Sequence, residues 1–171
     1  MSRPPRLASF DYRGPCRYFL TFCTHQRRHV FRDSSVIELV LEQIRFTAIE
    51  QSVENSAYCF MWDHLHMLAT GTADSTDLIK FAKLMKQRSA WRFGRRRDGR
   101  LWQSGYYDRV LREEDSTQGV VRYIVENPVR GGIVSSPDDY PHWGSDTYTR
   151  GQLLDFIQDA CQWRPDAPLT G

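Results

Sequence analysis

The sequence predicts an α+β domain of ferredoxin-like type: a β-α-β-β-α-β antiparallel sheet with helices on one face, plus an additional helix. Three observations predict it. Runs rich in aromatic and β-branched residues mark four strands. Apolar residues recurring at intervals of three and four mark two intervening helices. A further amphipathic stretch follows the fourth strand. The order of elements selects the fold. It does not select a function, because many functions share this architecture.

Residues 1–15 are rich in Pro and Arg and read as an extended N-terminal arm. Tyr18 to Thr24 is aromatic and β-branched, hence the first strand. Residues 34–51 carry Val36, Ile37, Val40, Leu41, Ile44 and Ala48 on one helical face, with Ser34 or Ser35 as the expected cap. Ala57 to Trp62 is the second strand, Asp63 a short turn, and His64 to Gly71 the third strand. The second helix spans 76–92, with Leu78, Ile79, Ala82, Met85 and Trp91 apolar and Lys80, Lys83, Lys86 and Arg88 on the other face. Residues 94–100 form a Gly/Arg loop, and Tyr106 to Leu111 is the fourth strand. The third helix begins near Asp115 or Ser116, where Asp115 and Gln118 fit a capping box. It runs through Val120, Val121, Ile124 and Val125 and ends by Asn127, which Pro128 restricts. The core domain is expected over 16–135. Residues 136–171 form a C-terminal tail, irregular but for a short helix near 151–161.

Composition removes several classes. No stretch approaches the roughly 18–20 apolar residues of a membrane span, and the N-terminus has no signal-peptide pattern, so a cytosolic protein is expected. Cys16, Cys23, Cys59 and Cys161 are scattered, without the spacing of a zinc ribbon or disulfide framework. Net charge is only +2, yet it is unevenly spread. Between Lys80 and Arg112 eleven Lys/Arg face two acids, a net +9. Residues 1–32 carry seven Arg against Asp11, and from Ile133 onward six Asp face two Arg. A basic middle with an acidic tail fits a polyanion on one face, or a solvated helix surface.

Three features bear on chemistry. The first is His64-Leu65-His66. On a strand, residues i and i+2 point to the same side, about 7 Å apart at Cα, so two imidazoles can share one divalent cation while Leu65 faces the core. An isolated H-x-H is equally a surface pair. Two metal-enzyme patterns are excluded. Metallo-β-lactamases continue H-x-H-x-D-H, whereas Met67, Leu68 and Ala69 follow here. Amidohydrolase barrels need roughly 200 residues or more. The second feature is Tyr123 with Asn127 one turn later on the same helix face. An amide oxygen beside a phenol could complete a metal site. A tyrosine, with an ordinary pKa of about 10, needs an activated phosphorus as its target. The packing reading of Tyr123 stands beside this, although Ile124 and Val125 already supply the apolar face. The third is the interleaving of Trp91, Phe93, Trp102, Tyr106 and Tyr107 with basic residues. Such rings stack on single-stranded bases or pack a sheet.

These residues together resemble a known family. Met61-Trp62-Asp63-His64-Leu65-His66 is similar to the HUH segment of single-tyrosine transposases, where U is a bulky apolar residue. LWQSGYYDRVLREEDSTQGVVRYIVENPVRGGIV, residues 101–134, resembles the REP-associated tyrosine transposase branch, as do Phe10-Asp11-Tyr12 and Tyr18-Phe19-Leu20-Thr21. The resemblance spans roughly residues 8–135 and rests on HUH, Trp-Gln before the fourth strand, and Tyr-Ile-x-x-Asn-Pro in combination. It implies that residues 16–135 are a catalytic domain. His64, His66 and Asn127 would be ligands of Mg²⁺ or Mn²⁺, and Tyr123 the nucleophile. One departure is plain: the family usually has Pro-Asn before the first His, and here those positions are Trp62-Asp63.

The expected activity is therefore metal-dependent cleavage and rejoining of single-stranded DNA near hairpin-forming repeats, through a 5′-phosphotyrosine, in the bacterial cytoplasm at the nucleoid. Lys83, Lys86, Arg109 and Arg112 are candidate phosphate contacts, Trp102 a candidate stacking residue, and Arg3, Arg6 and Arg13 candidate base contacts from the arm. The enzyme would work as a monomer if Tyr123 uses its own histidines, or as a homodimer if it uses a partner's. The alternative is a hairpin DNA- or RNA-binding module that has lost catalysis, which would not need all four site residues. Replication initiators and relaxases are larger, and relaxases use three clustered histidines where only two sit together here.

Overall fold

The computed structural model describes residues 13–111 and 115–165. Most of the N-terminal arm, including Arg3 and Arg6, and also Arg112 lie outside the described residues. Within them the predicted order of elements is present. Strand β1 spans Arg17–Cys23, helix α1 Ser34–Gln51, strand β2 Val53–Met61, strand β3 His64–Gly71, helix α2 Leu78–Gly94 and strand β4 Tyr107–Leu111. Helix α3, Thr117–Val125, and the single turn α4, Asn127–Arg130, follow. Strand β5, Trp143–Gly144, and helix α5, Arg150–Ile157, are the last strand and helix among the described residues.

The sheet order is β4-β1-β3-β2-β5, every pairing antiparallel. The first four strands have the ferredoxin-like arrangement, and β5 extends the β2 edge. The sheet is buried on both faces. Tyr18, Leu20, Phe22, Phe60, Leu65, Met67 and Ala69 pack under α1 and α2. Phe19, Ala57, Cys59, Met61 and Leu68 pack instead under α3, α5 and Trp163. This is why β1 reads as a continuous apolar run rather than an alternation. The two predicted helices share one face, and the additional helix lies on the other, where His64 and His66 also point.

Several boundaries differ from the sequence reading. The cap of α1 is Asp33, whose carboxylate accepts from the Ser35 backbone N–H at 2.9 Å. Asp77 caps α2, whose Lys80 N–H it receives at 2.8 Å. The α3 cap is Ser116, accepting from the Gly119 N–H. Asp115 is not part of a capping box: it is drawn to Arg109 at 2.9 Å, and Gln118 reaches the Phe156 carbonyl. Strand β2 starts four residues earlier than expected, through a register shift between Asn55 and Ala57. Gly71 closes β3 because a Cβ there would stand 2.3 Å from the Gly14 carbonyl oxygen. The tail is more ordered than expected. Phe60 N–H donates to the His142 carbonyl at 2.8 Å and the Tyr140 hydroxyl to the Phe60 carbonyl at 2.6 Å, which seats β5 beside β2.

Candidate active site

The register of β3 fixes both imidazoles. His66 stands opposite Thr21 on β1 and Cys59 on β2, in the middle of the sheet, and is buried at 5% exposure. His64 stands two residues nearer the strand's end, opposite Cys23. Their Nε2 atoms face each other at 3.1 Å. Each Nδ1 is engaged elsewhere. His64 Nδ1 lies 2.6 Å from Asp63 Oδ1, and since a carboxylate only accepts, the ring nitrogen donates. His66 Nδ1 lies 2.8 Å from the Thr21 hydroxyl, which can play either part. Phe19 stacks on the His66 ring at 5.3 Å. Burial lowers the pKa of both imidazoles, strongly for His66, where His64 and Arg27 add positive neighbours, and for His64 against the opposing pull of Asp63. Both rings are thereby kept neutral, the state a metal ligand needs.

Tyr123 comes from the opposite layer. Val120, Val121, Ile124 and Val125 are buried in the α3 interface, which leaves Tyr123 on the helix flank. Its ring meets His66 edge-to-face at 5.5 Å, Phe19 at 5.6 Å and Trp163 at 5.5 Å. The Arg130 guanidinium lies over it at 5.0 Å. Pro128 has no N–H to continue the α3 ladder, and the chain restarts as α4 at Asn127. Asn127 Nδ2 donates to the Tyr123 carbonyl at 3.0 Å, which turns its amide oxygen into the donor suited to a cation. One pocket of about 880 Å³ is lined by Thr21, Arg27, His64, His66, Tyr123 and Asn127 together, with Tyr106 and Tyr107 on its rim. Among the described residues no group of three or more His, Cys, Asp or Glu side chains could hold a metal. The donor set that fits a divalent cation is two converging imidazoles and one amide, with water left to fill the remaining positions.

The other predicted residues are not gathered here. Trp102 is buried at 6% exposure and its indole N–H donates to Ser89 Oγ at 2.9 Å, so it packs the α1/α2 core. Arg109 bonds Asp115 and the carbonyls of Arg164 and Pro165, fastening the C-terminal segment to β4. The Lys86 ammonium bonds the carbonyls of Gln103, at 2.9 Å, and Gly105, and burial brings its pKa down to about 8. It shapes the loop lining the pocket. Lys83 is exposed on α2. Arg13 bridges Asp77 at the end of the sheet away from His64. The basic middle is partly spent on structure, since Arg88, Arg92 and Arg97 pair with Glu50, Glu42 and Asp33.

Sequence reasoning missed Thr21, Arg27 and Phe19 at the site. Thr21 and Phe19 become visible only through the β1–β3 register, and Arg27 through a turn with left-handed backbone at Gln26 and Arg27, φ 55° at each. No helix among the described residues is long and apolar enough to cross a membrane.

Comparison with known proteins identifies the family and the fold. The family model described as "Transposase IS200 like" matches residues 13–127. A candidate REP-associated tyrosine transposase of Haemophilus influenzae is 24% identical over 165 residues, covering 90% of this chain and 92% of its own. The solved structure of a REP-associated tyrosine transposase bound to a REP hairpin superposes with a TM-score of 0.69 at 20% identity, covering 84% of this chain and 82% of that one. A Deinococcus radiodurans transposase crystal structure matches at 24% identity and TM-score 0.49, over 72% of this chain and 97% of that one.

Proposed function

The chain belongs to the IS200-like transposase family, and from that premise we propose that it cuts and rejoins single-stranded DNA through a covalent bond to Tyr123. The observation that carries the proposal is the meeting of two layers: the Tyr123 ring lies 5.5 Å from His66, in a pocket that also holds His64 and Asn127. A pocket of this volume suits an unpaired nucleotide rather than a duplex.

In this reading the Tyr123 hydroxyl oxygen attacks a phosphodiester phosphorus. The new bond is Tyr123 Oη–P and the broken one is P–O3′, giving a 5′-phosphotyrosyl strand and a free 3′-OH. The phenolic proton is lost to solvent and the leaving 3′ oxygen gains one. A second 3′-OH reverses the step without an external energy source, because the phosphodiester bond energy is kept in the tyrosyl link. His64, His66 and Asn127 would hold Mg²⁺ or Mn²⁺, which when bound supplies polarisation and orientation of the scissile phosphate. Phe19 and Trp163 hold the phenol on its flank, and Lys86 holds the 103–105 loop. Lys83 remains our candidate for a phosphate contact. The substrate we propose is hairpin-forming repeat DNA, supported by the REP hairpin in the solved relative.

The test is cleavage of end-labelled single-stranded hairpin oligonucleotides from the repeats flanking the gene, with Mg²⁺ or Mn²⁺. A protein-linked DNA band that disappears with EDTA and with Tyr123→Phe is expected. Tight hairpin binding by the wild type with no covalent band on any oligonucleotide would instead make the chain a binding module.

A further inference from the structure

The turn before the first histidine is built unlike a simple hairpin. The Asp63 carbonyl accepts from both the backbone N–H of Thr24, at 2.9 Å, and its hydroxyl, at 3.0 Å. Its side chain is gripped from the other side. Asp63 Oδ2 lies 2.8 Å from Arg27 Nε, while Arg27 NH1 reaches Cys23 Sγ at 2.7 Å. Arg27 is aimed there by two successive residues in the left-handed region, a backbone that favours glycine. The remaining oxygen, Oδ1, meets His64 Nδ1.

We propose that Asp63, braced by Arg27, is a positioning residue that locks His64 in the Nδ1–H tautomer while Thr21 lets His66 exchange tautomers. This rests on the metal-site reading above. A carboxylate cannot donate, so His64 is confined to one tautomer and its Nε2 lone pair always faces His66. A hydroxyl can donate or accept, so Thr21 satisfies His66 Nδ1 in either form. Two neutral rings 3.1 Å apart at Nε2 need something between their lone pairs. In the metal-free protein that is the His66 Nε2–H, donated to His64. With a divalent cation held by both Nε2 lone pairs, His66 would carry its proton on Nδ1 in place of Nε2, and the Thr21 hydroxyl would accept where it had donated. The ring stays neutral throughout. One histidine is fixed and one adapts, so both can present an Nε2 lone pair to a cation.

The experiment uses the full chain. Long-range ¹H–¹⁵N spectra of histidine-labelled, metal-free protein report the tautomer of each ring, and Mn²⁺ titration reports affinity. In the wild type, His64 is expected wholly as Nδ1–H and His66 as Nε2–H. Asp63→Ala should release His64 into a mixture of tautomers and weaken Mn²⁺ binding about 10- to 100-fold. Asp63→Asn keeps the shape but has one acceptor oxygen, which Arg27 Nε–H claims, so its NH₂ faces His64 Nδ1 and should shift His64 to the Nε2–H form and weaken Mn²⁺ binding as well. A His64 tautomer and Mn²⁺ affinity unchanged by Asp63→Ala would overturn the positioning role while leaving the metal site intact. A wild type that binds Mn²⁺ no better than the His64→Ala/His66→Ala double variant would overturn the metal reading itself, and the inference with it.

Discussion

Thr21→Val isolates one hydrogen bond at the centre of the site. Valine has the shape of threonine, so packing between β1 and β3 is kept and only the hydroxyl is lost. The hydroxyl lies 2.8 Å from His66 Nδ1, and the two residues are 8% and 5% exposed, so a valine methyl leaves Nδ1 without its protein partner. A buried polar group left unpaired costs about 1–3 kcal/mol. The gain from burying a methyl instead of a hydroxyl offsets part of this, leaving a net loss of about 1–2 kcal/mol. For a chain of this size each kcal/mol lowers Tm by roughly 2–4 °C, so a fall of roughly 2–8 °C is expected. Urea or thermal unfolding measures it. A double-mutant cycle with His66→Phe separates the pair from other effects, with a coupling of about 1 kcal/mol expected. Zero coupling, or a Thr21→Val protein as stable as wild type, would refute a buried Thr21–His66 bond and the tautomer argument built on it.

Stability should also fall with acid in a way that depends on His66. Its folded-state pKa is depressed by burial, while the unfolded chain titrates near 6.5, so below that pH the unfolded state binds the extra proton. Folding free energy is therefore complete above about pH 6.5 and declines as pH drops below it. Unfolding measured from pH 7.5 to 5 should show a shallower decline in His66→Phe, and equal slopes would contradict the burial account. Gly119→Ala sets two effects against each other. Helix propensity favours alanine by about 1 kcal/mol, but its Cβ would stand 2.9 Å from Trp163 Cβ and 3.0 Å from the Cys161 carbonyl. Overpacking of about 1–3 kcal/mol should win, and a stabilised variant by denaturant titration would show that the 161–163 segment yields freely. Lys86→Met should free the loop that the ammonium ties at Gln103 and Gly105. Chymotrypsin should then cut faster at Tyr106 and Tyr107, and an unchanged rate would mean the loop is held by other contacts.

The sheet and its helices were legible because their periodicities are long and local. The nearness of His64 to His66 and of Tyr123 to Asn127 was legible because strand spacing puts the first pair on one side of β3 and helical spacing brings the second together across the α3–α4 break. What escaped reading depended on contacts between distant segments. Trp102 looks like a stacking ring in sequence, yet the bridge of Thr24 to Trp102 turns it into the α1/α2 core. Arg109 and Lys86 look like free cations, yet nearby carbonyls claim both. β5 has only two residues among Pro, Gly and Asp, too short for any period, and exists because β2 offers it an open edge. Arg27 owes its place to two left-handed residues that carry no glycine to announce them.

The helix break at Pro128 and the two-sided sheet have a mechanical outcome. The histidines belong to a strand paired on both edges, and they cannot shift unless β1 or β2 shifts too. The phenol rides on nine residues joined to the sheet through side chains alone. In the reaction proposed above, tilting that short helix would carry the Tyr123 hydroxyl toward or away from phosphorus while His64 and His66 stay in register. Reaching a second strand end would then require only that one apolar stripe slide over another, with every strand pairing left whole.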